Sequence, residues 1–293
     1  MKLKELRIKG VETVSRLYPE GEAREMVFAY LEAAIGTKRH THIIDPDYAV
    51  GDDRAEQLMA DFGRMASGEP MQYVIGRAWF YGREFNVSPA VLIPRGETEV
   101  LISEILKAHR QPVNILDLCT GSGCIAWTLA LETPNSKVTA VDISDAALAV
   151  AAAQDFSDEI NLTGATAPTF VKADVLQSPD QSGYDFRQSG KYDIIVSNPP
   201  YVMDSEKAQM RTNVLDHEPH LALFVSDHDP LVFYRAVAEW AKELLADDGV
   251  GMVEINESLG RETEEVFRHA GFSSTQIVKD LHEKDRFVLF SYV

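Results

Sequence analysis

The chain has little cysteine, no long apolar run and a deficit of positive charge, and each shortage excludes a class of protein. Two cysteines occur in 293 residues, Cys119 and Cys124, and they flank one glycine-bearing loop. A disulfide scaffold is excluded and free thiols are expected. No stretch of about 18 consecutive apolar residues is present, so no membrane-spanning helix is expected. The opening MKLKELRIKG lacks the apolar centre of a secretory signal, which points to a cytoplasmic protein. Against 46 acidic residues stand 28 basic ones, giving a net charge of −18. A surface of that sign repels a phosphate backbone unless a local basic patch overrides it. The densest basic stretches, Lys2 to Lys9 and Lys38 to Arg39, are short, so nucleic acid is disfavoured as a direct substrate. Internal repeats and low-complexity tracts are absent too.

The remainder is ordinary globular material, 45% hydrophobic and 25% charged, and long enough for one large domain and a small one. Residues 1–71 read as a small helical domain. Ala23, Met26, Val27, Tyr30, Leu31 and Ala34 fall on one helical stripe, and Ala55, Leu58, Met59, Phe62 and Ala66 repeat the spacing. Such stripes describe a bundle core, not a ligand site. Over residues 72–91 the pattern turns to β, with Tyr73, Val74 and Ile75, then Trp79, Phe80 and Tyr81, then Phe85 and Val87, broken by Gly76 and Gly82. A β-hairpin linker is expected there. Next, Thr98 or Glu97 can start a helix after the break at Pro94, and Arg95 reads as a surface residue.

Residues 92–293 form the expected catalytic domain, in which strands and helices alternate. Val113 to Leu118, Lys137 to Ile143, Thr169 to Ala173, Tyr192 to Val196 and Val250 to Ile255 are strand-like. Helices are expected at Cys124 to Leu131, at Ser144 to Gln154 with Ser144 as cap, and from about Leu231 to Leu245. Alternation with apolar strands predicts an α/β fold with a doubly wound, mostly parallel sheet. A last helix, Arg261 to His269, precedes Ser274 to Val278 and Arg286 to Tyr292, which should pair as an antiparallel hairpin at the sheet edge.

Ile195 to Val202 reads IVSNPPYV, an apolar strand running into a rigid polar loop. Each proline fixes its own φ, lacks an N–H and pushes its predecessor into extended geometry, so Asn198 and Pro199 are held out of helix. Their carbonyls can then accept from a ligand. The Asn198 amide adds an acceptor and a donor, and Tyr201 adds a flat wall with a hydroxyl tip. With Pro200, this cluster suits a planar group bearing an NH₂. The alternative is a strand that ends in a Pro-Pro turn started by Asn198.

The first strand of the alternating region enters Asp117-Leu118-Cys119-Thr120-Gly121-Ser122-Gly123, and a helix opens at Cys124. Glycine is needed where backbone turns tightly and a ligand approaches closely. Gly121 to Ala126 also fits G-x-G-x-x-A with Asp142 about 20 residues on, so an NAD-dependent oxidoreductase is the rival reading. Asp142 can accept from ribose hydroxyls in either case. Asp117 discriminates, because a carboxylate there is awkward beside pyrophosphate but favourable beside an ammonium and a sulfonium. A dehydrogenase would set its substrate acid or base where NPPY stands. Asp174, at the next strand end, can accept from an adenine amino group, with Val175 beside it.

The N/D-P-P-Y/F/W tetrapeptide at a strand end resembles that of S-adenosylmethionine-dependent methyltransferases acting on an amide or exocyclic amine nitrogen. Taken with other segments, the chain resembles the PrmC/HemK family, bacterial methyltransferases of the glutamine in the Gly-Gly-Gln motif of peptide chain release factors. The similarity lies in Gln72-Tyr73-Val74-Ile75-Gly76, Phe80-Tyr81-Gly82, Leu92-Ile93-Pro94-Arg95, Glu97-Thr98-Glu99, the Gly121 loop, Val141-Asp142-Ile143-Ser144, NPPY, Glu218-Pro219 and Lys279-Asp280-Leu281. The resemblance implies a Rossmann-like methyltransferase sheet and S-adenosylmethionine as cofactor. It implies that Thr120 to Gly123, Asp142, Val175 and Asn198 bind the methyl donor and that Asn198 to Tyr201 hold the target glutamine. It also implies that the helical domain docks the release factor. A sister group, sharing the catalytic motifs, methylates a glutamine of a large-subunit ribosomal protein. The chain departs from the family pattern at Gly96, where proline is usual, at Cys119 and Asn256, where glycine is usual, and at His282-Glu283-Lys284.

Residues 203–229 read as a long loop rich in Asp, Glu and His. His217, Glu218, His220, Asp227, His228 and Asp229 raise the question of a metal, but their spacing matches no ligand pattern. A solvated lid is expected instead, and no metal.

Overall fold

The continuous apolar runs become neighbouring parallel strands, since a strand buried on both faces needs no polar alternation. In the computed structural model, which describes residues 1–108, 113–188, 190–280 and 282–293, the strands in chain order are β1 (Arg77–Phe80), β2 (Arg83–Asn86), β3 (Asn114–Leu118), β4 (Lys137–Asp142), β5 (Thr169–Lys172), β6 (Tyr192–Ser197), β7 (Val202–Met203), β8 (Phe224–Val225), β9 (Leu245–Glu254), β10 (Ser274–Lys279) and β11 (Asp285–Ser291). Seven of them form one sheet in the order β10-β11-β9-β6-β3-β4-β5. The five from β9 to β5 in that order are parallel, whereas β11 runs antiparallel to β9 and pairs with β10 as the expected edge hairpin.

Alternate residues of each central strand feed two apolar layers. Ile115, Ile194, Val196 and Met252 face Trp127, Phe85 and Phe287 on one side. Leu116, Leu118, Ile195 and Val253 face Tyr234, Trp240 and Phe267 on the other. Each such side chain contributes roughly 1.5–3 kcal/mol on burial, which makes the register costly to shift.

The chain divides into two units, one comprising Met1–Arg77 with Met210–His217, the other Ala78–Gln209 with Glu218–Val293. The first is built on helices Leu3–Val14, Glu20–Ile35 and Asp52–Ala66. Ala23, Val27, Tyr30 and Leu31 of the expected stripe are buried there with Ala55, Leu58 and Phe62. Within this unit Arg211 reaches Glu22 at 3.4 Å.

The linker differs from its β reading. Tyr73, Val74 and Ile75 lie in a helical turn, Met71–Ile75, and only β1 and β2 pair as strands. The β-branched run is overridden by its ends. Pro70 caps the turn, and Gly76 closes it at φ +80, donating to the Gln72 carbonyl at 2.8 Å. Tyr81 and Gly82, at φ +50 and +74, make the two-residue hairpin turn between the strands.

A helix at Ser157–Thr163 was not foreseen, because it buries no residue and so carries no stripe. The 203–229 segment is not structureless: it holds the β7–β8 pair and the short helices Thr212–Leu215 and His220–Leu223. At the other end, Asp280 accepts from the amides of His282 and Lys284 and pairs with Arg286 at 3.0 Å, which closes the β10–β11 turn; Leu281 lies outside the described residues. No described helix is long and apolar enough to cross a membrane.

Gly251 shows how tightly one layer is packed, since a Cβ there would sit inside the Phe290 ring, which stacks on Phe267 at 4.0 Å. Gly251→Ala is expected to lower the unfolding free energy by about 1–3 kcal/mol. Denaturant titration should show a lower midpoint at an unchanged slope.

Candidate active site

Strand order creates the cleft. From β3 the chain moves outward through β4 and β5, then returns to β6 on the opposite flank of β3, so connections leave the two neighbours in opposite directions. Ligands of open α/β sheets bind at that reversal, outside the carboxyl ends of the strands. Register brings those ends level: Leu118 lies opposite both Val141 and Ser197, and Ser197 opposite Val253. The Ser197 hydroxyl donates to the Leu118 carbonyl at 2.7 Å and ties β6 to β3 where they part.

A cavity of about 220 Å³ opens there, and its wall includes Cys119, Thr120, Gly121, Ser122, Asp142, Asp174, Val175, Asn198 and Pro200. Asp117, Gly123, Pro199 and Tyr201 are not on that wall. Gly123 has a packing role: at φ +78 it caps helix Cys124–Glu132, and a Cβ would lie 3.0 Å from that of Ala151. Gly121, at φ +55, has open space where a Cβ would be, as a loop that admits a ligand requires. Cys119 adopts φ +62, left-handed without being glycine, and that strain costs about 1 kcal/mol. A larger groove of about 920 Å³ shares Val175 and Leu176 with this cavity but holds none of the strand-end acids.

The strand-end carboxylates differ in their partners. Asp142 accepts from the Gly121 amide and the Ser144 amide, each at 2.9 Å, so it joins the glycine loop to the next helix, which Ser144 caps. Asp174 accepts from the Leu176 amide at 2.9 Å. Asp117 is fully buried beneath the loop. One oxygen accepts from the Thr120 hydroxyl at 2.6 Å and the other has no hydrogen-bond partner. Burial pushes its pKa up to about 7, against the Thr120 bond and the weaker pull of the Ala126 amide, with Asp142 adding repulsion. A buried carboxylate with an unmet acceptor fits a cationic ligand. The loop, the acids and this orphaned oxygen therefore fit an adenosyl cofactor that carries positive charge.

Sequence reasoning missed the network behind Asn198. The Thr98 hydroxyl donates to Glu254 Oε2 at 2.6 Å and receives the Asn198 amide at 3.4 Å, while Tyr201 donates to Glu254 Oε1 at 3.0 Å. Glu254 is 1% exposed, and burial raises its pKa against the Thr98 and Tyr201 bonds. The available signal was a lone charge inside the apolar run Val250 to Ile255. Asn256, a departure from the family pattern, donates to the Tyr201 carbonyl at 3.2 Å and to Glu206 at 2.8 Å, so it anchors the tetrapeptide loop.

Arg95 is not a mere surface residue, because it pairs with buried Glu218 at 2.6 Å, and Glu218 also accepts from the Ile93 amide. Of the other residues that raised the metal question, Asp227 accepts from Ser205 and Asp229 pairs with Arg235. Among the described residues no three His, Cys, Asp or Glu side chains group so as to hold an ion.

A doubly wound sheet with acids at three successive strand ends and an Asn-Pro-Pro-Tyr turn across the reversal defines a methyltransferase. Residues 96–221 match the methyltransferase small domain family, and residues 10–76 match the PrmC N-terminal domain family. The chain belongs to the release factor glutamine methyltransferase family: it is 36% identical to the protein of that name from Flavobacterium psychrophilum over 100% of both chains. It is 38% identical to the Bacteroides thetaiotaomicron protein of the same name, over 94% of this chain and 95% of that one. In fold it is similar to the T. thermophilus 16S rRNA N2 G1207 methyltransferase RsmC, solved with AdoMet and guanosine, at a TM-score of 0.50 and 17% identity, covering 74% of this chain and 50% of that one.

Arg95→Ala would leave Glu218 as an uncompensated buried charge. The expected loss is about 2 kcal/mol, below the usual 3–5 because Arg95 is 34% exposed and partly screened. Adding Glu218→Gln should restore part of it, as chemical denaturation of both variants would show.

Proposed function

We propose that the chain transfers a methyl group from S-adenosylmethionine to the side-chain amide nitrogen of the glutamine in the Gly-Gly-Gln motif of peptide chain release factors. The observation that carries this reading is Asn198 at the strand-order reversal, with its amide nitrogen turned to Thr98 and its Oδ1 left as an acceptor on a cavity wall. Family membership over the full chain supports the substrate. The net charge of −18 supports a protein target over nucleic acid.

When bound, the cofactor supplies an electrophilic sulfonium methyl. Asp142 would accept from its ribose hydroxyls, Asp174 and Val175 would hold the adenine, and Cys119 to Ser122 would hold the rest of the molecule, with Asp117 opposing its positive charge. A primary amide nitrogen is a poor nucleophile, because its lone pair is delocalised into the carbonyl. Asn198 Oδ1 and the Pro199 carbonyl accept its two hydrogens and turn the lone pair toward the methyl. Pro200, on the cavity wall, keeps water from the reacting amide, which strengthens those bonds. No dedicated base is required, since the amide proton becomes acidic only as the methyl transfers. The helical unit, which exposes Ile43 and Ile44, docks the release factor in the cytoplasm.

Labelled methyl offered with purified release factor, ribosomal protein, duplex DNA and free glutamine should appear in the release factor alone; label in DNA or only in ribosomal protein would overturn the reading. Asn198→Ala should slow single-turnover methylation on the order of 100-fold, about 3 kcal/mol, while docking affinity holds.

Cofactor affinity should also depend on pH through Asp117. Burial raises its pKa to about 7, above the usual carboxylate value, so the charged form that favours a cation predominates only as pH rises above 7 and is lost as pH falls through it. Calorimetry should find S-adenosylmethionine bound roughly tenfold more weakly at pH 6 than at pH 8, with proton release on binding near pH 7. A flat profile would show that Asp117 does not sense the ligand.

A further inference from the structure

We propose that Thr98 and Glu254 are positioning residues that fix which end of the Asn198 amide faces the substrate, an inference that rests on the role given to Asn198 above. Ser197 and Val253 are partners across β6 and β9, so Asn198, the first residue after β6, and Glu254, the last of β9, follow neighbouring positions at the cleft end of the sheet. Thr98, 2% exposed at the end of the turn Gly96–Thr98, sits between their side chains.

Hydrogen-bond direction along this chain is determined by the carboxylate. Both Glu254 oxygens accept, one from Thr98 at 2.6 Å and one from Tyr201 at 3.0 Å, and these bonds with the nearby Arg286 charge favour the carboxylate form against the pull of burial. Burial holds the Tyr201 hydroxyl well above its ordinary pKa, with Glu254 adding to the shift, so Tyr201 remains a donor. A threonine hydroxyl has one hydrogen. Having given it to Glu254, Thr98 can only accept from Asn198, at 3.4 Å, a length that suits a site waiting for its substrate. The Asn198 NH₂ is therefore committed to Thr98 and Oδ1 is the group presented to the cavity. An inverted amide would set NH₂ against the NH₂ of the incoming glutamine, two donors facing each other.

Stability alone gives little reason for this arrangement. A buried carboxylate hydrogen-bonded by two neutral hydroxyls, with the Arg286 charge acting on it without a direct ion pair, is expensive to desolvate, and apolar residues of similar volume would serve a strand core better. Its position beside Asn198 gives it a use, since the charge imposes one polarity on every bond between β9 and the tetrapeptide.

The test reverses that polarity. Single-turnover methylation of a purified release factor is measured for the full chain and for Thr98→Val, Thr98→Ser, Asn198→Ala, Asn198→Asp, Glu254→Gln and the pair Asn198→Asp with Glu254→Gln, alongside cofactor and release-factor affinities. Thr98→Val should slow transfer by about 10- to 100-fold with affinities nearly unchanged, and Thr98→Ser, which restores the hydroxyl, should return to within about threefold of the parent rate. Asn198→Asp should slow transfer by about 100-fold or more, because a second carboxylate meets a hydroxyl with no proton left to give. Combined with Glu254→Gln it should recover at least about tenfold: the new glutamine donates its NH₂ to Thr98, whose proton then passes to the new carboxylate, and the acceptor facing the cavity is restored. Thr98→Val and Thr98→Ser variants of equal rate, or a double variant no faster than Asn198→Asp, would overturn the inference while a slow Asn198→Ala leaves the role of Asn198 standing. An Asn198→Ala variant near the parent rate would sink both.

Discussion

Everything at the cleft depends on five parallel strands ending at one level. Pairing of Leu118 with Val141 and Ser197, and of Ser197 with Val253, delivers residues from β3, β4, β6 and β9 to the same place although they lie up to 137 positions apart in the chain, from Asp117 to Glu254. A slip of one residue in any of these pairings would turn an apolar side chain outward and a cleft residue inward. The apolar layers on both faces make such a slip costly, so the burial that stabilises the sheet also aligns the chemistry. Ser197 reinforces this with a side-chain bond at the last paired position of β3 and β6.

How much of this was legible follows from how local each signal is. The parallel strands were readable because burial on both faces leaves an uninterrupted apolar run, and Asp117, Asp142, Asp174 and Asn198 were readable because each stands just where such a run ends. Tyr73, Val74 and Ile75 were misread as β because propensity was weighed without the caps of their helical turn, Pro70 and Gly76. Gly123 was legible as a loop glycine, but no local pattern reveals that its missing Cβ makes room for Ala151, a residue of the next helix. The partners of Arg95, Glu254 and Asn256 were illegible for the same reason, since Glu218, Thr98 and Tyr201 are 123, 156 and 55 positions away from them in turn. Spacing reports periodicity, and pairing across a sheet is set by topology.

The site is held in an unfavourable state by the rest of the fold. Cys119 occupies left-handed backbone, Asp117 has an oxygen without a partner, and Glu254 is a charge sealed from water. Each of these costs of the order of 1 kcal/mol or more and would relax if the surrounding structure let it. The layers that oppose relaxation are the aromatic ones, Trp240 and Phe267 on one face and Trp127 and Phe287 on the other. Strain concentrated where several elements over-determine the backbone is what a preorganised site requires.

The two buried carboxylates beside the reversal then divide the work by their hydrogen-bond state. Asp117 is unsaturated, with one oxygen engaged by Thr120 and the other buried without a hydrogen-bond partner, so its free energy changes when a cation comes near and it can contribute to binding through the field of its charge. Glu254 is saturated, one oxygen held by Thr98 and the other by Tyr201, so it has little left to offer a ligand directly. What a saturated acceptor can do is dictate the orientation of the groups that satisfy it, and through them of Asn198. The same residue type, equally buried, therefore acts by charge on one side of the cleft and by geometry on the other. The difference arises because the glycine loop above Asp117 supplies one hydroxyl, whereas the elements that meet at the end of β9 supply two.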